Sequence, residues 1–185
     1  MKQRVALPDF NQMWAGHVAA SPSPRMHDDG AERAFWRDFM ARKSYAPEPS
    51  SRQVLRHLRP LLRAMGVETA LELGPGWGSY TLDLAALCRE VACVDLSRDV
   101  LDFVLRAGAE RGFHNLRAYH AKWEEFTPER TYDLVFGYNC FYRQEDLADC
   151  FARMTRTANK LCVAGMNTGL APAWVRELDE AGGRV

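Results

Sequence analysis

Thr69-Ala70-Leu71-Glu72-Leu73-Gly74-Pro75-Gly76-Trp77-Gly78-Ser79-Tyr80 is the stretch that decides the fold. It opens as a short apolar run and breaks into glycines at every second position. It then turns helical, with Leu82, Leu84, Ala85 and Leu87 supplying apolar faces. Strand, glycine loop and helix, in that order, present backbone N–H groups to a nucleotide-like ligand. Glycine has no Cβ, so the chain can turn sharply there and let a ligand touch the main chain.

Downstream the alternation continues. Val91–Asp95 reads as a second strand, and Ser97 caps a helix carrying Val100, Leu101, Val104 and Leu105. Leu116–Ala121 is a third strand and Tyr132–Tyr138 a fourth, whose Asp133-Leu134-Val135-Phe136 core suits a sheet buried on both faces. Glu145–Ala158 is helical, Leu161–Gly165 is a fifth strand, and Pro172 opens a last helix. Strands alternating with helices imply an α/β fold with a doubly wound, mainly parallel sheet. The link between the third and fourth strands, about Lys122 to Thr131, is near the minimum for a parallel crossover.

Upstream the pattern is helical. Asp9–Ala20 places Phe10, Met13, Trp14 and Val18 on one face, with Asp9 as N-cap. Ser21-Pro22-Ser23-Pro24 ends that helix. Ala31–Lys43 is a second helix, with Phe35, Trp36, Phe39 and Met40 clustered. A third, about Ser51 to Met65, turns Val54, Leu55, Leu58, Leu61, Leu62 and Met65 inward, and Pro60 should kink or split it. The expected organisation is a helical cap over residues 1–50 and a ligand-binding unit over 51–185, forming one structural unit.

Composition narrows the function. At 185 residues the chain fits one domain with a sizeable core. It has no apolar run of about 18 residues, so no membrane span is expected. Met1–Asp9 lacks the apolar core of a signal peptide, which leads to the expectation of a cytoplasmic protein. Formal net charge is zero, with 11 Lys/Arg against 6 Asp/Glu in residues 1–65 and 13 against 18 in residues 66–185. Zero net charge argues against a large nucleic-acid footprint. The basic first part reads either as solvated helix faces or as a surface that greets an anionic substrate. The five cysteines form no C-x-x-C pair and read as small buried thiols. The five histidines show no ligand spacing, so no metal site is expected.

The glycine spacing separates two kinds of nucleotide site. A dinucleotide loop follows G-x-G-x-x-G, which from Gly74 would need glycine at Ser79. The pattern Glu72-x-Gly74-x-Gly76-x-Gly78 instead resembles the first motif of the class I S-adenosylmethionine-dependent methyltransferases. That resemblance covers about residues 35–170. It implies a Rossmann-like sheet and S-adenosyl-L-methionine as cofactor, with Glu72, Gly74, Gly76 and Gly78 at its methionine end. It also implies an acidic residue at the end of the second strand that takes both ribose hydroxyls, and Asp95, followed by Leu96, stands there. A carboxylate accepts two hydrogen bonds from a cis-diol. The plainer alternatives for Asp95 are a helix cap or a loop charge.

In the same family the segment after the third strand frames the adenine, here Ala121-Lys122-Trp123-Glu124. Lys122 departs from the family's acidic residue, so Glu124 or a backbone carbonyl would have to accept from the adenine amino group. Trp123 reads as an adenine-pocket residue or as core. The end of the fourth strand, Tyr138-Asn139-Cys140-Phe141-Tyr142-Arg143, lies where the family places the methyl group and the acceptor. Asn139 then falls to the cofactor, while Tyr142 and Arg143 fall to the substrate. The stretch matches the small-molecule branch better than the N-P-P-Y motif of amino methyltransferases, since both prolines are missing. Upstream, Trp36 is assigned to substrate, Tyr45 to the methionine part and Arg52 to its carboxylate, with core packing the plainer reading of Phe35 and Trp36. No residue is singled out as a catalytic base.

The family usually ends with an antiparallel strand pair, and the residues after Asn167 are too few for a helix and that pair. The pair is therefore expected to be missing or truncated, and a homodimer that covers the fifth strand is one way to protect the edge. Three functional readings stand: methylation of a small-molecule acceptor, methylation of RNA or protein, and a non-catalytic S-adenosylmethionine-binding module.

Overall fold

The computed structural model describes residues 8–42 and 49–167. Four helices lead in: α1 (Phe10–Ala19), α2 (Pro24–His27), α3 (Asp29–Ala41) and α4 (Pro49–Ala64). The alternating part follows as β1 (Thr69–Leu73), α5 (Thr81–Leu87), β2 (Glu90–Asp95), α6 (Arg98–Ala109), β3 (Leu116–His120), β4 (Tyr132–Tyr138), α7 (Leu147–Thr157) and β5 (Ala158–Gly165). The five strands form one sheet in the order β3-β2-β1-β4-β5, with every pairing parallel. Strand order reverses between β1 and β4. Such a reversal opens a crevice beyond the carboxyl ends of the two strands, where α/β sheets bind ligands.

Strand alternation divides the core into two layers. On one side of the sheet, Ala70, Val91, Cys93, Leu134 and Phe136 pack with Leu55, Leu58 and Leu62 of α4, Leu84 of α5 and Leu101 and Val104 of α6. On the other, Leu71, Leu73, Ala92, Val94 and Val135 pack with Cys150 and Met154 of α7. The helix-free β3–β4 link joins this second layer, because Trp123 and Phe126 bury their rings there. Two buried aromatic rings thus stand where a crossover helix would pack, which is how so short a connection covers the sheet.

The helical lead-in differs from its expected form in several places. Asp9 does cap α1, its Oδ1 accepting from the Gln12 N–H at 3.0 Å. The expected apolar face is only half used: Val18 is fully buried, while Phe10 and Met13 are 67% and 60% exposed. Trp14 is held instead by a hydrogen bond from its indole to the Gln144 carbonyl, 2.6 Å. Pro24 starts the short helix α2, since proline fits the first turn, where its missing N–H is not needed. Helix α4 runs through Pro60 unsplit, and Leu61 faces outward. The helix expected from Pro172 lies outside the described residues, as does Tyr45.

Leu71 lies on the central strand with no exposed surface. Leu71→Ala should lower unfolding free energy by about 2–5 kcal/mol, the usual cost of such a cavity. Urea denaturation followed by circular dichroism reads the change.

Candidate functional site

The carboxyl ends of β1, β2, β3 and β4 all open on one cavity of about 580 Å³, closed from above by α2 and α3. The first edge is the glycine loop. Gly74, Gly76 and Gly78 have φ of 57°, 54° and 84°, the left-handed region that side chains rarely tolerate. Gly74 is also pinned by space: a Cβ there would lie 2.5 Å from the Cys140 Cβ. Its N–H donates to the Val94 carbonyl at 2.9 Å, tying the loop to the end of β2. At Gly76 a Cβ would stand 3.3 Å from the Trp36 ring, so α3 rests on the loop. Gly74 and Trp36 line the cavity, whereas Gly76 and Gly78 lie outside its lining.

Asp95 ends β2 and lines the cavity with Leu96. Its Oδ1 accepts from the Ser97 N–H at 2.7 Å, and Ser97 begins α6 without a side-chain cap bond of its own. Burial pushes the Asp95 carboxyl up to about 7 despite that bond, and the Glu32 charge adds to the rise. Glu72, 2% exposed on β1, is also pushed up to about 7 by burial and by the Asp95 charge. Glu72 does not line the cavity, and its Oε2 has no hydrogen-bond partner. Arg52, on the exposed side of α4, is likewise outside the lining.

Beyond β3, Trp123 is 6% exposed and lines the cavity. The Arg153 guanidinium sits 5.1 Å over its ring and donates to the Glu124 and Phe126 carbonyls, which fixes this wall. Lys122 meets Asp29 of the N-terminal helices at 2.9 Å. Beyond β4, Asn139 adopts φ 55°, the single non-glycine residue with positive φ among the described residues. Its N–H donates to the Gly165 carbonyl, and its Oδ1 accepts from the Asn167 N–H. Cys140, Tyr142 and Arg143 continue the wall. Arg143 pairs with Asp29 through Nη2, while its Nε and Nη1 are buried without partners.

One group that sequence reasoning passed over lies at the centre. Glu32 of α3 is 1% exposed. It accepts from Arg25 (Nε to Oε2, 2.7 Å), from the Trp36 indole (2.7 Å) and from the Tyr142 hydroxyl. Burial would raise its carboxyl, but the bonds from Arg25 and Tyr142 outweigh that and hold it below the usual range. Asp29 is held low in the same way by Lys122 and Arg143. The available signal was the spacing: Glu32 stands four residues before Trp36, hence on the same helix face.

Residues 70–160 match the family model described as a methyltransferase domain. Among curated protein sequences, none matches the chain. The solved structures it resembles include the DhpI–SAH complex (TM-score 0.56, 19% identity, 70% of this chain and 63% of that one). They also include an S-adenosylmethionine-dependent methyltransferase from Clostridium acetobutylicum (0.54, 15%, 74% and 56%). A third is coclaurine N-methyltransferase bound to N-methylheliamine and SAH (0.53, 16%, 85% and 57%). This chain thus spans between half and two thirds of the length of these structures. Over residues 70–160 the chain is similar to methyltransferase domains, and its sheet has the fold of these structures.

Gly74→Ala should destabilise the fold by about 1–3 kcal/mol, from overpacking against Cys140 and from its positive φ. Adding Cys140→Gly removes the clashing Cβ and should recover part of the loss in thermal melting, leaving only the backbone strain.

Proposed function

We propose that the chain transfers a methyl group from S-adenosyl-L-methionine to a small polar acceptor inside this cavity. The observation that carries the reading is the meeting of Gly74, Asp95, Trp123 and Asn139, from four different strand ends, around one cavity. Its volume falls within the roughly 300–1,000 Å³ usual for small-molecule sites. The residues present fit the donor. Asp95 keeps one carboxylate oxygen clear of its bond to Ser97, as a ribose diol needs. Trp123 offers a flat apolar wall to a base.

The donor supplies a methyl group on a sulfonium. Bound there, it would offer that methyl as the electrophile of an in-line displacement, with neutral sulfur as the leaving group. The protein's part is alignment, which in favourable systems accounts for about 7–11 kcal/mol of a barrier. In this reading Asp95 and Trp123 orient the nucleoside, and Asn139 marks the methyl end. Tyr142 and Arg143 stand where the acceptor enters. Helices α2 and α3 serve as the cap, with Trp36 and Glu32 lining the cavity. The wall beyond β4 is rich in charged and polar side chains (Arg143, Gln144, Glu145, Asp146), which favours a polar acceptor over a greasy one. A small acceptor is also favoured over RNA or protein by the use of Arg25, Lys122 and Arg143 in internal ion pairs.

Calorimetric titration should detect binding of S-adenosylhomocysteine and none of NAD; the reverse result sinks the reading. Asp95→Ala should weaken that binding by about 1.5–3 kcal/mol, the worth of hydrogen bonds to a charged group. The pH dependence has a definite sign. With its carboxyl near 7, Asp95 is protonated in acid and then accepts fewer bonds. Affinity should therefore rise with pH through about 7, and Asp95→Asn should flatten that rise.

A further inference from the structure

Glu32 has a position that simple packing does not require. Its carboxylate is almost fully buried, and its partners come from three separate places: Arg25 from α2, Trp36 from the next turn of α3, and Tyr142 from the segment beyond β4. Arg25 also donates to the Tyr142 hydroxyl at 3.3 Å, closing a ring of contacts. Phe35 packs under the Arg25 guanidinium, 3.4 Å from its centre, which fixes the cation. Through Trp36 the same carboxylate reaches the glycine loop, since that ring stands 3.3 Å from where a Gly76 Cβ would be. One anion therefore joins the cap, the loop assigned to the donor and the wall assigned to the acceptor.

We propose that Glu32 is a positioning residue that couples the two halves of the site: Tyr142, on the acceptor side, controls through Glu32 how firmly Trp36 covers the donor loop. The inference rests on the donor-site reading given above. Its physical basis is the sharing of one acceptor atom. Oε1 takes the Trp36 indole, the Tyr142 hydroxyl and Arg25 Nη2 together. Removing any one donor lets the carboxylate turn toward the others, and Trp36 moves with it. An acceptor that shifts Tyr142 would by the same route loosen or tighten the cover over the donor. The second tether between cap and wall, Arg143 to Asp29 to Lys122, does not pass through the glycine loop. It holds the cap down without transmitting this signal.

The test uses S-adenosylhomocysteine as probe, with its dissociation rate followed by stopped-flow tryptophan fluorescence. Four proteins are compared with wild type: Glu32→Gln, Tyr142→Phe, their double variant, and Leu62→Ala. Tyr142→Phe removes one hydroxyl and keeps the ring, so it remains informative if Glu32→Gln folds poorly. Tyr142→Phe and Glu32→Gln should each speed dissociation about tenfold, the effect of one charged hydrogen bond. The double variant should be no faster than the quicker single one, because both break the same linkage. Leu62→Ala, a core change on α4 far from Glu32 in sequence, should lower the melting temperature and leave the rate within about twofold. Tyr142→Phe at the wild-type rate overturns the proposal, as does Leu62→Ala speeding release equally. A wild type that binds no S-adenosylhomocysteine overturns the donor-site reading itself, and this inference with it.

Discussion

The arrangement depends on one close approach, Gly74 against Cys140. The first residue after β1 and the second after β4 meet where the strand order reverses, and no Cβ fits at Gly74. If the loops stood further apart, the crevice between the two strand ends would be wider and the walls would not share a cavity. The approach also explains the unusual backbone on either side. Gly74 turns left-handed to leave β1, and Asn139 does the same to leave β4. Asparagine tolerates that region better than most residues, and here its side chain is held by the Asn167 N–H. Gly137, just before, makes room for Phe141 and Cys140 to fold back over the sheet.

Around that approach the site holds two carboxylates in contrasting surroundings, Glu32 buried and Asp95 partly so. Glu32 has an arginine, an indole and a phenol, and it stays ionised out of water. Asp95 has one backbone N–H, and its charge is correspondingly unfavourable. Burying a charge without partners is costly, so the two groups respond differently to their environment. Glu32 is a finished structural anion that holds side chains in place. Asp95 is under-supplied with donors and would gain from any ligand that brings hydroxyls. The contrast distinguishes a group that organises the site from one that is open to a ligand.

The central sheet was legible because its signals are local. β1 and β4 fall where their apolar runs end, and the left-handed glycines are where the loop places them. Asp95, Trp123, Asn139, Tyr142 and Arg143 all line the cavity, since strand ends converge in this topology whatever the loops contain. Glu72, from the glycine motif, and Arg52, from the upstream segment, both lie outside the cavity's lining. Period-two alternation puts Glu72 on the side of β1 that carries Ala70, toward the helices. The helical lead-in was hard to read for a different reason. Its faces are decided by polar contacts to distant residues, such as Trp14 to Gln144 and Asn11 to Asp146 and Ala148. Hydrophobic periodicity cannot register those, so Phe10 and Met13 were expected inward and point out.

The same distinction explains why the cap can be specific without a large apolar interface. Along α1 to α3 only Val18, Glu32 and Met40 are buried among the described residues, and apolar contact with the core comes mainly from Met40 and the half-buried Trp36 and Phe39 of α3. What remains is a set of directional bonds to the wall beyond β4: Asn11 to Asp146, Trp14 to Gln144, Tyr142 to Glu32 and Arg143 to Asp29. Hydrogen bonds of this kind contribute about 1 kcal/mol each, more where charged, and each demands a defined geometry. A segment held by several such bonds opens more readily than one held by a core, and it closes to one position.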